Sequence, residues 1–194
     1  MRVLVVYAHP VETSFQAALH RRTLQSLRAG GRHEVDDCDL YAEGFEPALS
    51  REERLNYHDL AVCRRGVERY VDRVLAAEAL VLNFPVWNFG YPAILKGFFD
   101  RVFLPGVSFR LENGRVWPNL HNIRKLAAIT TYGSNRWRTL LMGDPPRKLV
   151  KRVLRATVHP LAHPHYLALY DMNRATEVQR DAFLAKVGRE MERF

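Results

Sequence analysis

Apolar runs alternate with amphipathic stretches along the whole chain. The runs at residues 3–7, 79–84 and 126–131 contain no polar alternation, which is typical of strands buried on both faces. Residues 33–40 and 166–170 predict two further strands, and the first of these is polar enough to be expected nearer an edge of the sheet. Strands of this kind are expected in a parallel sheet that is covered by helices.

Helical patterns occupy the stretches between these runs. Ser14 is a preferred N-cap and Gly30 a preferred stop, which predicts a helix over residues 15–28. A second helix, leading into the run at 79–84, is indicated by apolar residues at the spacing i, i+3, i+4, i+7 and i+8, namely Val67, Tyr70, Val71, Val74 and Leu75. These helices separate successive strands, as parallel pairing requires.

Helix signals continue in the second half of the chain. Pro92 and Pro145 stand where proline is tolerated, in the first turn of two predicted helices. Thr176 and Gln179 predict a capping box at the start of the last helix. The helix after Pro92 is apolar on more than one face, so we expect part of it to form a subunit interface.

The order of these elements defines a fold class. We predict an α/β fold with a flavodoxin-like, doubly wound, five-stranded parallel sheet in the order 2-1-3-4-5 and helices on both faces. Asn113-Gly114 predicts the turn of a hairpin outside that sheet. Residues 1–194 are expected to form a single domain.

Composition narrows the possible functions. The net charge is +8, but the basic residues are scattered and accompany no zinc-finger or basic-zipper spacing, so no nucleic-acid partner is expected. The two cysteines suggest reduced thiols, and no run approaches the ~20 apolar residues of a membrane span. We therefore expect a cytoplasmic protein without membrane insertion. His159, His163 and His165 have no acidic or cysteine partner nearby, so a loop is expected there and no metal site.

The loop after the first strand offers an anion site. The first amide groups of the helix, at Phe15 and Gln16, have no partner within that helix and favour an anion. His9 can add a donor from across the loop. Ser14 taken alone is more often a plain helix cap than part of an anion site.

Two further loops leave the same edge of the predicted sheet. The first is rich in aromatic residues and can stack on a flat ligand or form an exposed dimerisation patch; it comprises Pro85, Val86, Trp87, Asn88, Phe89 and Gly90. The second offers hydroxyl and backbone N–H groups, and it comprises Thr131, Tyr132, Gly133 and Ser134. Ligands of open parallel sheets bind at this edge.

Three segments carry a resemblance to a known family. YAHPVETSFQAAL, FPVWNFGYPAILKGFFDRVF and TTYGS resemble the flavodoxin-like NAD(P)H quinone reductases, the DT-diaphorase family and its shorter bacterial relatives. The resemblance implies a homodimer with a flavin at the subunit interface. It also implies a ping-pong reaction in which NAD(P)H reduces the flavin and two electrons pass to a quinone or a similar acceptor.

The resemblance assigns roles to the three loops. His9, Ser14, Phe15 and Gln16 would hold the flavin phosphate. Residues 85–89 would line the isoalloxazine, and Thr131, Tyr132, Gly133 and Ser134 would contact its pyrimidine side. By this resemblance the cofactor would be FAD or FMN, with a slight preference for FAD from the first loop, and NADH or NADPH would be the co-substrate.

One departure from the family concerns proton handling. Longer members place a tyrosine and a histidine after the third loop, whereas this chain has Trp137 near the first position and Met142 at the second. Neither side chain exchanges a proton. Arg136 or Asn135 would supply the compensating donor, and Arg136 is the candidate catalytic residue. The alternative function is a non-catalytic flavodoxin-like regulator of an ion-efflux channel.

Overall fold

The computed structural model describes all 194 residues of the chain. The strands are β1 (Arg2–Tyr7), β2 (Glu34–Asp39), β3 (Ala79–Val86), β4 (Phe109–Glu112), β5 (Arg115–Pro118), β6 (Lys125–Tyr132) and β7 (His165–Leu169). The helices are α1 (Phe15–Ala29), α2 (Arg51–Leu55), α3 (Glu68–Ala76), α4 (Ala93–Val102), α5 (Arg136–Leu141), α6 (Pro145–Lys148), α7 (Arg155–Thr157) and α8 (Glu177–Glu192). A π-helical stretch (Leu149–Leu154) joins α6 to α7, and a 3₁₀ turn (Met172–Arg174) follows β7.

Five parallel strands form the central sheet in the order β2-β1-β3-β6-β7. This order confirms the predicted doubly wound, flavodoxin-like arrangement, in which β1 lies next to both β2 and β3. The other two strands, β4 and β5, form a separate antiparallel hairpin. Its turn residues Asn113 and Gly114 both have positive φ, as a tight hairpin turn requires.

Successive residues of the central strands enter two different hydrophobic layers. In β1, Val3 and Val5 pack with the layer under α1 and α8, whereas Leu4 and Val6 pack with the layer under α3 and α4. All eight residues of β3 are buried, so both faces of the sheet centre are covered. This explains why these strands show no polar alternation in the sequence.

Helix ends follow the predicted caps. The Ser14 hydroxyl accepts a hydrogen bond from the Ala17 amide at the start of α1. Thr176 and Gln179 form the predicted capping box of α8. No helix combines the length and the apolar character that crossing a membrane would require.

Three features differ from the expectations. The expectation that α4 exposes an apolar face beyond the core is wrong. Phe98 is buried, Phe99 and Phe103 are partly buried against it, and no large apolar side chain of α4 is exposed. The single helix expected after Pro145 is instead divided into α6, the π-helical stretch and α7. Helix α5 was not predicted, because most of its residues are exposed and show no core-facing period.

Packing explains why residue 97, inside α4, is a glycine. A Cβ there would lie 2.5 Å from the Cα of Pro47, whose backbone crosses the helix. We expect Gly97→Ala to destabilise the protein by about 1–3 kcal/mol, because overpacking against backbone outweighs the gain of roughly 1 kcal/mol in helix propensity. Chemical denaturation would measure this change.

Gly188 provides the matched control for this prediction. It lies inside α8, and a Cβ there would meet only the movable guanidinium end of Arg22. Gly188→Ala should therefore be neutral or stabilising. Equal effects of the two substitutions would contradict the packing explanation for Gly97.

Candidate functional site

A cleft of about 330 Å³ opens at the carboxyl edge of the central sheet. Strand pairing brings its loops together: Tyr7 is aligned with Asn83, and Pro85 is aligned with Thr131. The residues that line the cleft are His9, Ser14, Phe15, Gln16, Pro85, Val86, Trp87, Thr131, Gly133, Met172 and Asn173. Nine of these positions come from the three loops predicted from the sequence.

One end of the cleft is formed by the start of α1. The amides of Phe15 and Gln16 have no acceptor within the protein, and both residues line the cleft. The Ser14 hydroxyl is occupied, because it donates to the Val11 carbonyl over 2.7 Å and accepts from the Ala17 amide. The backbone amides, assisted by the helix dipole, are therefore the groups available to an anion.

His9 stands beside this helix start as a neutral donor. Its Nδ1 accepts a hydrogen bond from the Val11 amide over 3.0 Å, which places the ring proton on Nε2. Burial lowers the pKa of His9 below its ordinary value. At neutral pH, His9 therefore offers an N–H group rather than a positive charge.

An aromatic side chain forms one wall of the cleft. Trp87 is 41% exposed and lies at a tilt to the His9 ring, with 5.7 Å between ring centroids. The turn behind it is closed by hydrogen bonds between Trp87 and Gly90, and it holds Asn88 and Phe89 at positive φ. Such backbone conformations cost free energy outside glycine and persist only when the surrounding structure imposes them.

The third loop contributes a polar edge. Thr131 and Gly133 line the cleft. The side chain of Tyr132 points to the opposite face of the sheet, where its hydroxyl donates to Asp144 over 2.7 Å. Of the predicted site residues, Asn88, Phe89, Gly90, Tyr132 and Ser134 do not line the cleft.

A buried polar network lies beneath the cleft. The Gln16 amide group donates to the Asn83 side chain and to the Ile129 carbonyl, and the Thr131 hydroxyl donates to Gln16 over 2.9 Å. The Gln16 side chain is therefore committed to the protein, and only its backbone amide is free to bind an anion. This network ties α1, β3 and β6 together directly under the site.

Sequence reasoning missed three residues of this region. Asn83 interrupts an otherwise apolar strand, and that interruption was the one available signal. Met172 and Asn173 reach the cleft from the 3₁₀ turn after β7, and no local pattern marked them.

Arg136 does not line the cleft. It is the first residue of α5, and its side chain is exposed and forms no hydrogen bond within the protein. No group of histidine, cysteine, aspartate or glutamate side chains in the chain is arranged to hold a metal ion.

Comparison with known families agrees with this architecture. The model of the family Flavodoxin_2, described as having the flavodoxin-like fold, matches residues 1–183. The chain belongs to this family. The matched residues include all five strands of the central sheet and the three loops that form the cleft.

Individual relatives are similar over most of this Flavodoxin_2 chain. An uncharacterised NAD(P)H oxidoreductase of Haemophilus influenzae is 35% identical over 136 residues, covering 70% of this chain and 66% of that protein. NAD(P)H dehydrogenase [quinone] 1 of Rattus norvegicus is 32% identical over 150 residues, covering 69% of this chain and 54% of that protein. The matches thus span between about half and two thirds of these two relatives.

A solved structure matches the full length of this Flavodoxin_2 chain. Smu.1420 from Streptococcus mutans superimposes with a TM-score of 0.87 at 30% sequence identity, covering 100% of both chains.

The lowered pKa of His9 predicts a pH effect on stability. The unfolded chain protonates His9 near the ordinary value of 6.5, before the folded protein does, so stability should fall as the pH drops from about 7.5 to about 5.5. His9→Asn should reduce this slope when unfolding is followed by denaturant titration at each pH. Partly buried His33 has a pKa shifted in the same direction, so part of the slope should remain.

Exposed His121 provides the control for this measurement. His9→Asn should reduce the slope more than His121→Asn does. A His9 titration midpoint at or above the ordinary value, measured by NMR of the histidine ring, would show that the burial argument is wrong.

Proposed function

We propose that this protein is a flavin-dependent NAD(P)H:quinone oxidoreductase. The observation that carries the proposal is the cleft itself, which combines free amides at one end, an indole wall and a polar edge. The names of the two curated relatives, an NAD(P)H oxidoreductase and an NAD(P)H dehydrogenase [quinone], support the same activity.

The residues present fit a flavin. The amides of Phe15 and Gln16, together with Nε2–H of His9, would bind its phosphate. The ring of Trp87 would stack on the isoalloxazine, and Thr131 and Gly133 would face the pyrimidine edge. These three groups of contacts match the phosphate, the flat ring system and the polar ring edge of a flavin.

Unsatisfied polar atoms support this fit. Oγ of Ser134 and Nδ2 of Asn83 are buried without a hydrogen-bond partner, and each residue adjoins one that lines the cleft. A buried donor left unpaired costs about 1–3 kcal/mol. A polar ligand edge in the cleft offers these groups, directly or through water, the partners that the protein lacks.

When bound, the flavin supplies the redox chemistry, taking hydride from NAD(P)H and passing two electrons to a quinone in a ping-pong cycle. The contribution of this chain is to bind, orient and stabilise charge. Backbone N–H groups near Gly133 and Ser134 are fixed by the loop, so they would stabilise negative charge on a bound flavin without reorganising.

Proton supply follows from the composition of the cleft. Among the side chains that line it, His9 alone exchanges protons near neutral pH, and it lies at the phosphate end. We therefore assign the protons of quinone reduction to water at the open side of the cleft. Arg136 stands outside the lining, so its proposed role as a donor requires contact with a bound substrate.

Several finer features belong to the same proposal. The choice between FAD and FMN stays open, since no contact in the cleft supports the preference for FAD. A homodimer is proposed on the family resemblance, with the exposed apolar side chains Trp87 and Trp117 as candidate contacts in place of α4. A single domain over residues 1–194 and a cytoplasmic location remain predictions.

The proposal predicts a yellow protein. Purified protein should absorb near ~450 nm, NADH or NADPH should bleach that band without oxygen, and a quinone should restore it. A colourless protein that gains no thermal stability from FMN or FAD would contradict the proposal. Bleaching with very slow quinone turnover would instead favour the regulatory alternative.

Gly133→Val tests the placement of the third loop. A Cβ at Gly133 would lie 3.3 Å from the Asn173 amide nitrogen, so the larger side chain should crowd the polar edge and reduce flavin retention at least about tenfold. Ala156→Val, an exposed site on α7, is the control and should retain flavin fully. Equal flavin content in both variants would show that the cleft is not the flavin site.

A further inference from the structure

Helix α5 displays nearly all of its side chains to solvent. Thr139 is its one buried residue. Trp137 is 76% exposed, and the remaining exposed residues are Arg136, Arg138, Leu140 and Leu141. Large apolar side chains are seldom left outside without a binding partner when they form a contiguous patch.

The backbone of α5 is nevertheless held firmly from behind. Asn135 caps the helix by accepting from the Arg138 amide over 2.9 Å, and the Thr139 hydroxyl donates back to the Asn135 carbonyl. The Asp144 amide donates to the Thr139 carbonyl over 3.0 Å, and the Asp144 carboxylate is anchored by Tyr132. Burial raises the pKa of Tyr132, which keeps it a neutral donor to that carboxylate. The exposed side chains therefore project from a fixed platform.

This platform stands at the rim of the cleft. It begins shortly after Gly133, which lines the cleft. The intervening Ser134 carbonyl accepts a hydrogen bond over 3.0 Å from the amide of Asp171, the residue before the cleft-lining Met172. A ligand that extends out of the cleft on this side meets α5.

The exposed charges on the connection that contains α5 are all positive. Between residues 133 and 155 the one acidic residue is Asp144, which is buried, while the basic residues are Arg136, Arg138, Arg147, Lys148, Lys151, Arg152 and Arg155. None of these basic side chains is paired with a carboxylate. A surface of this kind attracts anions to the adjacent cleft.

The side chains of α5 match one class of anion. An indole stacks on a purine ring, and guanidinium groups bind phosphate through paired hydrogen bonds. Consecutive helical residues point about 100° apart, so Arg136 and Arg138 flank Trp137 on opposite sides. The adenosine of NADPH matches this arrangement, because its purine lies between a diphosphate and a 2′-phosphate.

We propose that α5 binds the adenosine half of NADPH. Trp137 stacks on the adenine, Arg136, which is nearer along the chain to the cleft-lining Gly133, binds the diphosphate, and Arg138 binds the 2′-phosphate. The chain therefore prefers NADPH to NADH. This assignment rests on the proposed function, because the nicotinamide must reach a flavin in the cleft.

Three substitutions separate these roles in steady-state kinetics with a quinone acceptor. Arg138→Gln should lower kcat/KM for NADPH about tenfold or more and change that for NADH less than about twofold, because only NADPH carries the 2′-phosphate. Arg136→Gln should lower both by similar factors. Trp137→Ala should raise both KM values with kcat retained, and Trp137→Phe should restore much of the loss.

Arg189 supplies the matched control, since it is an exposed arginine without an ion pair on α8. Arg189→Gln removes the same charge and should leave both cofactors unaffected. Equal losses for NADH and NADPH in Arg138→Gln, or a wild-type protein that does not favour NADPH, would overturn the assignment.

A binding measurement keeps the assignment separate from the proposed function. Calorimetric titration with 2′,5′-ADP should show binding that 5′-AMP does not match, and Arg138→Gln should abolish the difference. Yellow protein that neither cofactor bleaches would end the proposed function, whereas bleaching without discrimination would end only the assignment to α5. Conversion of an oligomer to monomer by Trp137→Ala, seen by light scattering, would identify α5 as a subunit contact and overturn it too.

Discussion

Burial of both faces of the sheet centre is the constraint on which the rest of this structure depends. In β1, β3 and β6 most side chains are apolar and buried, and the backbone groups are paired in the ladders. Polar groups that are free to bind a ligand are therefore found where the ladders end. At the carboxyl edge, three such ends and the start of α1 converge, and the free amides, the indole and the hydroxyls of the cleft are all found there.

Neutral groups and charged groups are separated at this edge. Inside the cleft, the free donors are backbone amides and a neutral His9, which can bind a resident cofactor without burying an unpaired charge. The unpaired arginines and lysines stand outside, on the connection between β6 and β7. Exposed charges attract a ligand that arrives and leaves in each turnover, and they cost little desolvation. The two locations thus suit a retained flavin and an exchanging dinucleotide.

Two buried polar networks hold the loops from beneath. The network of Gln16, Asn83 and Thr131 fixes the start of α1 against β3 and β6, and the pair of Tyr132 and Asp144 fixes the far end of α5. Because successive residues of a strand face opposite sides, Thr131 faces the cleft while Tyr132 packs in the opposite layer. Such networks are strong when every member is satisfied, and Nδ2 of Asn83 is the one side-chain atom of these two networks that has no partner within the protein.

Much of the fold was determined by signals within a few residues of each other. Continuous apolar runs predicted the strands, Ser14 and Thr176 predicted helix starts, and the strand ends located the three loops, because periodicity, capping and turn chemistry are local. Only the tertiary structure decided which side chains line the cleft, since Asn83 meets a partner 67 residues away and Met172 arrives from beyond β7. Helix α5 is a mixed case: its Asn135 cap and its contact with Asp144 are local, but its exposed residues carry no core-facing period. Its place at the rim of the cleft was decided by the tertiary structure, in which the Asp171 amide donates to the Ser134 carbonyl.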